Sequence, residues 1–278
     1  MIRVRAMTAA DVPLGMRLKQ QAGWNQLEAD WQRFLDLEPD GCFVAERDGT
    51  PVGTTTTCIF GPVAWVAMVL VDAALRGQGI GKALMQHALA FLDESGVRSV
   101  RLDATPLGQP LYEKLGFVVQ YQLARYEGVL PPVGAAPGIP VITPEHLDEW
   151  LQRDQEVTAT DRSKLLRRLF AEQPDALRGV DLGARGKGFL TVRPGMRALQ
   201  IGPCIASGGA GLLLFADAWQ RYAGQSAFID IPMQNMEAGL LAQGQGLTVQ
   251  RHLTRMCRGE EVCERIGELW ASSGPEMG

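Results

Sequence analysis

Val66-Ala67-Met68-Val69-Leu70-Val71, then Asp72-Ala73-Ala74-Leu75, then Arg76-Gly77-Gln78-Gly79-Ile80-Gly81-Lys82, reads as a buried strand, a connector and a glycine-rich turn opening a helix. Val66 to Val71 is continuously apolar and rich in β-branched residues, the pattern of a strand covered on both faces. From Ile80 the period changes, and Ile80, Leu84, Ala88, Phe91 and Leu92 fall on one helical face. Gly77, Gly79 and Gly81 let the backbone approach a bulky ligand, and the first N–H groups of the helix have no internal partner. Orphan donors and the helix dipole both favour an anion, so the turn suits a phosphate.

Spacing narrows which phosphate. A P-loop needs glycine where Arg76 stands and a hydroxyl where Ala83 stands. The dinucleotide pattern Gly-x-Gly-x-x-Gly fails from either start, because Lys82 and Leu84 occupy the third glycine position. What remains is Arg-x-x-Gly-x-Gly, formed by Arg76, Gly79 and Gly81.

The rest of the chain sets the frame. At 278 residues and 46% apolar, it can bury a large core in one or two domains. A net charge of -4 without long like-charge blocks argues against a nucleic-acid surface. The sequence offers no signal peptide and no apolar run long enough to span a membrane. Five scattered cysteines without a Cys-x-x-Cys argue against disulfides and zinc and for a reduced, cytoplasmic setting. The three histidines lack metal spacing, so no metal is expected.

Taken in order, Ile2 and Val4 mark a short strand, and Thr8 with Asp11 has the spacing of a capping box before a helix. Asn25 with Glu28 suggests a second cap, opening a helix through Trp31 and Phe34. Arg47-Asp48-Gly49 is a hairpin signal, and Thr54 to Thr57 suits a strand with one hydrated face. After the glycine turn, a helix runs to Ser95-Gly96 and a strand covers Val97 to Ala104. Pro110-Leu111-Tyr112-Glu113-Lys114-Leu115-Gly116-Phe117 is then a short helix with proline early and glycine at its end.

Arg-x-x-Gly-x-Gly followed, one helix and one strand later, by Leu-Tyr-Glu-Lys-Leu-Gly-Phe resembles the GNAT acetyltransferases across residues 1 to about 127. The resemblance implies acetyl-CoA as co-substrate. Leu70 and Val71 would offer backbone to pantetheine, and Arg76, Gly77, Gln78, Gly79, Ile80, Gly81 and Lys82 would hold the pyrophosphate. Tyr112 matches the family's general acid for the leaving thiolate. Thr105 and Gly108 stand where the family has an asparagine and a small residue, so the asparagine contact does not carry over. Asp72, Asp103 and a water chain remain open as the base. Trp24 and Asn25 read either as a helix start or as the mouth of an acceptor pocket.

Gly128 to Pro140, with Pro131, Pro132, Pro137 and Pro140, is a linker by composition. Beyond it, helices are expected from Thr143 through Leu151 and Thr160 through Phe170, with strands at Gly188 to Val192 and Ala198 to Ile205. The last 75 or so residues repeat an earlier order: strand, Ser207-Gly208-Gly209-Ala210-Gly211, helix, strand, short helix, strand. Asn235, Ala238, Leu241, Ala242, Gly246 and Leu247 parallel Thr105, Gly108, Leu111, Tyr112, Gly116 and Phe117. The second copy lacks the arginine–glycine loop and has alanine at the tyrosine position.

The expected architecture is α/β with a mixed sheet: tandem GNAT folds, an active one at 1–128, a linker at 129–140, and a degenerate one at 141–278 that shapes the acceptor site. The expected function is acetyl transfer to the amine of a small molecule, without nucleic-acid or membrane partners. An acyl-CoA sensor and a protein lysine acetyltransferase are the alternatives. Asp103, Asp161 and Arg255 join Trp24 and Asn25 as candidates to face the acceptor, with surface ion pairing as the competing reading for Asp161 and Arg255. Nothing in the sequence fixes the oligomeric state.

Overall fold

The computed structural model describes residues 1–132, 134 and 138–278; Pro137 of the expected linker lies outside the described residues. Two compact units form. The first comprises Met1–Asp103, Leu107–Val118 and Met256–Glu261, and the second Ala104–Pro106, Val119–Arg255 and Val262–Gly278. The expected division near residue 128 follows chain order, whereas the units follow strand pairing, so short segments of each half belong to the other unit.

In the first unit, β1 (Ile2–Ala6), β2 (Cys42–Arg47), β3 (Thr50–Phe60) and β4 (Val63–Val71) pair antiparallel in that order. β5 (Ser99–Ala104) then pairs parallel to β4. The helices are α1 (Val12–Gln21), α2 (Glu28–Leu37), α3 (Ile80–Glu94) and α4 (Gln109–Lys114). Ile80, Leu84 and Ala88 of α3 pack on Phe43, Ala45 and Val52, which is the helical stripe read from the sequence. Asp48 (φ 49°) and Gly49 (φ 82°) make the β2–β3 turn with two residues in the left-handed region.

The expected caps divide. Asp11 accepts from Thr8 N–H and Oγ1 at 2.9 and 3.0 Å, as the spacing predicts. At α2 the cap is not Asn25 with Glu28: Asp30 Oδ2 accepts the Leu27 N–H at 2.7 Å, two residues further on. The threonine strand also departs from expectation. Thr54 to Thr57 are all fully buried, with no hydrated face. For three of them burial is tolerated because hydroxyls bond backbone carbonyls, Thr54 to Met68 (2.9 Å), Thr55 to Ala67 (3.3 Å) and Thr57 to Gly41 (2.9 Å), whereas Thr56 Oγ1 has no partner among the described residues.

The second unit contains β6 (Val118–Val129) from Val119 on, β7 (Arg178–Asp181), β8 (Lys187–Arg193), β9 (Leu199–Ala206), β10 (Ser226–Pro232), β11 (Thr248–Gly259) as far as Arg255, and β12 (Leu269–Ala271). Its strand order is β11-β6-β10-β9-β8-β7, with β12 attached to β9. α5 (Leu147–Thr158), α6 (Ser163–Glu172), α7 (Ala210–Arg221) and α8 (Met236–Gly244) accompany the sheet. Leu214, Phe215, Ala218 and Trp219 of α7 and Ala238 and Ala242 of α8 share a core with Leu190, Val192, Ile201, Ile229 and Ile231. Asn235 caps α8 by accepting the Ala238 N–H at 3.1 Å. β7 and β12 were not expected from the sequence. Among the described residues no helix is long and apolar enough to cross a membrane.

Candidate active site

β4 is bulged. Thr54 pairs with Leu70 but Thr56 pairs with Ala67, so Met68 and Val69 together oppose Thr55. Met68 takes the extra residue in the left-handed region at φ 50°, a conformation that costs a non-glycine residue about 1 kcal/mol or more. The Thr54 and Thr55 hydroxyls, bonded to the Met68 and Ala67 carbonyls, fasten the bulge.

Beyond the bulge β4 leaves its parallel neighbour. β4 and β5 pair only from Val63–Ser99 to Trp65–Arg101, although β4 runs on to Val71 and β5 to Ala104. A V-shaped gap opens between them, with unpaired backbone on its β4 side. Alternation decides which residues line it. Asp72 N–H bonds the Val52 carbonyl at 2.9 Å, and the Leu70 carbonyl lies 2.9 Å from where a Gly53 Cβ would be. Leu70 and Asp72 therefore turn their backbone groups to β3, while Val69 and Val71 turn theirs to the gap. The structure thus puts Val69, not Leu70, beside Val71 on the open side. The bulge causes this shift, and no local sequence signal marks it. The Val71 carbonyl accepts from Arg76 Nε at 3.3 Å, which ties the strand end to the loop.

The loop begins with Asp72, whose side chain accepts the Ala74 N–H at 3.2 Å and pairs with Arg17. The Arg17 guanidinium holds the Asp72 carboxyl below the usual carboxylate range. That carboxylate is engaged as a cap, which disfavours it as a base. Gly77 (φ 77°) and Gly79 (φ 85°) need the left-handed region, and nothing lies within 4 Å of a Cβ at either. The first helical bond of α3 is Ala83 N–H to the Gly79 carbonyl at 3.0 Å. Ile80, Gly81 and Lys82 therefore present N–H groups ahead of the hydrogen-bonded ladder. Arg76, Gln78 and Lys82 are exposed around them.

α4 lies beside this turn, since a Cβ at Gly81 would stand 3.7 Å from both Leu111 and Val71 side chains. One residue after Leu111, Tyr112 is 9% exposed and packs edge-on to Phe117 with ring centroids 6.0 Å apart. Gly108 explains the need for a small residue at its position. A Cβ there would sit 2.9 Å from Tyr112 Cε2 and 3.4 Å from its hydroxyl oxygen. Burial pushes the Tyr112 phenol up to about 12. Among the described residues its hydroxyl has no hydrogen-bond partner.

The remaining candidates fall in different places. Trp24 is half-buried and follows α1, while Asn25 is 5% exposed. Asp103 is half-buried in β5 of the first unit. Thr105, Asp161 and Arg255 belong to the second unit. Asp161 is exposed and accepts the Ser163 N–H at 3.1 Å, which starts α6. Arg255 is 1% exposed, donates to the Tyr121 hydroxyl at 2.8 Å and lies 3.4 Å from Glu264. It is held inside the unit, which is neither the acceptor role nor the surface pair read from sequence. Around Asn25, on α1, α2 and the segment between them, a buried polar group escaped the sequence reading: Lys19, Gln26, Asp30 and Arg33, like Asn25, are each 5% exposed or less. Arg33 bonds Asp30 at 2.7 Å, and burial pulls the Lys19 amine down.

The second unit repeats the split and fills it. β9 and β10 pair in parallel only from Leu199–Ala227 to Ile201–Ile229. Past that point β12 enters, pairing antiparallel with β9 through Leu269–Ile205 and Ala271–Cys204. Ser272 N–H bonds the Asp230 carbonyl of β10 at 2.9 Å, so the chain itself bridges the gap. The glycine turn before α7 is also taken. Gly209 N–H bonds the Arg185 carbonyl at 3.0 Å, and a Cβ on Gly208 would stand 2.2 Å from that oxygen.

Two family models match the sequence: the acetyltransferase (GNAT) family over residues 15–117 and an acetyltransferase (GNAT) domain over residues 151–271. Holothin acyltransferase from Pseudoalteromonas sp. (strain SANK 73390) is 26% identical over 261 residues, covering 92% of this chain and 87% of that protein. Mycothiol acetyltransferase from Thermobispora bispora is 40% identical over 91 residues, 29% of this chain and 31% of that one. A crystal structure of a candidate acetyltransferase from Pyrococcus horikoshii has a TM-score of 0.83 at 23% identity, covering 100% of this chain and 96% of that one. At that identity the likeness is one of fold.

Proposed function

The chain belongs to the GNAT acetyltransferase family and is an N-acyltransferase, and from that premise we propose that its first unit moves the acetyl group of acetyl-CoA to the amine of a small molecule. The observation that carries this reading is the bulged β4, split from β5 and ending in a turn of free N–H groups. An extended arm with an amide repeat fits the backbone groups of Val69 and Val71. A pyrophosphate fits the N–H groups of Ile80, Gly81 and Lys82 at the positive end of α3. Exposed Arg76 and Lys82 add charge that salt screens, so each contributes tenths of a kcal/mol rather than whole units. The relatives named for holothin and mycothiol support a small acceptor.

Acetyl-CoA supplies an activated thioester carbonyl and a thiolate leaving group. The protein aligns the reactants, which alone can remove several kcal/mol of barrier. The Val69 or Val71 N–H is placed to polarise a carbonyl in the gap. Tyr112 donates a hydrogen bond toward the departing sulfur. Full proton transfer is uphill, because a phenol near 12 facing a thiolate of ordinary value ~8.5 is mismatched by ~3.5 units, or ~5 kcal/mol. The net proton therefore comes from the attacking amine, and Tyr112 steadies charge while it forms.

Coenzyme A release over a panel of amines, with wild type and Tyr112→Phe, tests this. The variant is expected to lose on the order of a hundredfold in kcat, at the low end for acid–base residues. Tyr112 stays protonated until about 12, so the rise of rate with pH follows amine deprotonation and keeps its shape in the variant. Equal turnover in the two proteins would remove Tyr112 from the mechanism. Binding of acetyl-CoA without release on any amine would favour a sensor.

A further inference from the structure

The second unit carries a cluster of arginines on one sheet face. Alternate residues of β6, β8, β9 and β10 feed the core under α7 and α8: Ala124, Tyr126, Leu190, Val192, Ile201, Ile229 and Ile231. Their neighbours Arg125, Arg193, Gln200, Phe228 and Asp230 point to the opposite face, all of them buried. Asp230 is claimed twice. Arg125 donates to it through Nε and Nη2, each at 2.7 Å, and Gln200 donates at 3.1 Å. Glu276 is claimed by Arg193. Arg125 and Arg197 both stand over the Phe228 ring, at 5.1 and 5.9 Å.

Arg251 of β11 joins this cluster. Leu253 packs with Leu123, and Arg255 bonds Tyr121, so the same alternation brings Arg251 beside Arg125. Its Nε is buried with no hydrogen-bond partner among the described residues. The charges acting on it are Arg125 and Arg197, which repel, and Asp230 and Glu276, which Arg125 with Gln200 and Arg193 respectively already bond. Burial, more than any neighbour, pulls the Arg251 guanidinium down to about 10. Arg251 thus sits beside the like charges of Arg125 and Arg197, while other side chains hold Asp230 and Glu276. A desolvated guanidinium beside like charges is costly until an anion reaches it.

We propose that Arg251, with Arg197 at the exposed rim and Arg125 behind it, forms a binding site in the second unit for the oxyanion of a small molecule, a carboxylate or a phosphate. The planar fork of Arg251 supplies paired donors for either group. The site is independent of acetyl transfer, because its residues lie outside the coenzyme A loop, β4 and α4.

The test uses the full chain at fixed ionic strength, with acetate, inorganic phosphate and chloride as probes. Acetate or phosphate is expected to raise Tm saturably beyond chloride, and whichever does so identifies the group recognised. Arg251→Gln should weaken that response tenfold or more, and Arg197→Gln several-fold, while acetyl-CoA binding is unchanged. Without added anion, Arg251→Gln should melt at or above the wild-type temperature, since an uncompensated charge is gone. No saturable response beyond chloride in wild type, or a full response retained in Arg251→Gln, would overturn the site. Should Arg251→Gln fail to fold, an undiminished response in Arg197→Gln, a substitution at an exposed position, overturns it equally.

Discussion

Tyr112 and Gly108 act as one unit. The tyrosine was legible because a short helix, a proline and a terminal glycine surround it in a pattern with a known partner upstream. Its environment was not legible, since burial and the approach of its ring to Gly108 arise from tertiary packing. That approach makes a prediction. Gly108→Ala puts a methyl 2.9 Å from Tyr112 Cε2, closer than carbon atoms pack, so the ring must turn. We expect kcat to fall about tenfold with KM for acetyl-CoA nearly unchanged, because misplacing a donor affects charge stabilisation more than binding. Steady-state kinetics of the variant check this; an unchanged kcat would mean the hydroxyl position is immaterial. Arg255 shows the converse. Its sequence context suited an acceptor contact, yet it is spent on Tyr121 and Glu264 inside the sheet. Composition carries no record of which charges are buried.

At the scale of elements, strand, turn and helix were readable from the change of period at Ile80. The bulge and the split were not, because an unbroken apolar run looks the same in any register. Those two features decide which backbone groups are available. Fixing them takes Thr54 and Thr55, read from sequence as half-hydrated but placed instead under the strand they hold. The turn itself can be tested. Gly79 sits at φ 85° with open space around a Cβ, so Gly79→Ala brings left-handed strain of about 1–2 kcal/mol but no clash. The strain relaxes by shifting the turn, which moves the Ile80 and Gly81 N–H groups off a bound pyrophosphate. The expected result is a rise in KM for acetyl-CoA of about tenfold or more with only a small loss of Tm. Kinetics and a thermal melt separate this from general destabilisation, in which Tm and activity would fall together.

At the scale of the whole molecule, the internal repeat was legible as a recurring order of elements, and the absence of the arginine–glycine loop from the second copy as missing residues. What the sequence concealed is that the second copy fills its own slot. β12 is three residues long, too short and too apolar to stand out from a loop. Its place is nonetheless firmly held. Trp270 is 2% exposed and lies so close on α7 that a Cβ at Gly211 would stand 2.1 Å from its ring. Burying an aromatic side chain of ~150–250 Å² contributes ~4–6 kcal/mol before entropy. Adding the β9 pairing and the Ser272 bond, displacement of β12 would absorb most of the ~8 kcal/mol of a micromolar ligand. The chain should therefore bind one acetyl-CoA, not two. Calorimetric titration of the wild type is expected to give a stoichiometry near one. Arg76→Glu combined with Gly79→Asp, which puts negative charge into the first-unit loop, should bring it near zero. A wild-type value near two, or a site surviving in the double variant, would mean that β12 yields and that the second unit also takes the nucleotide. A wild-type value of zero would instead count against the first unit as the acetyl-CoA site.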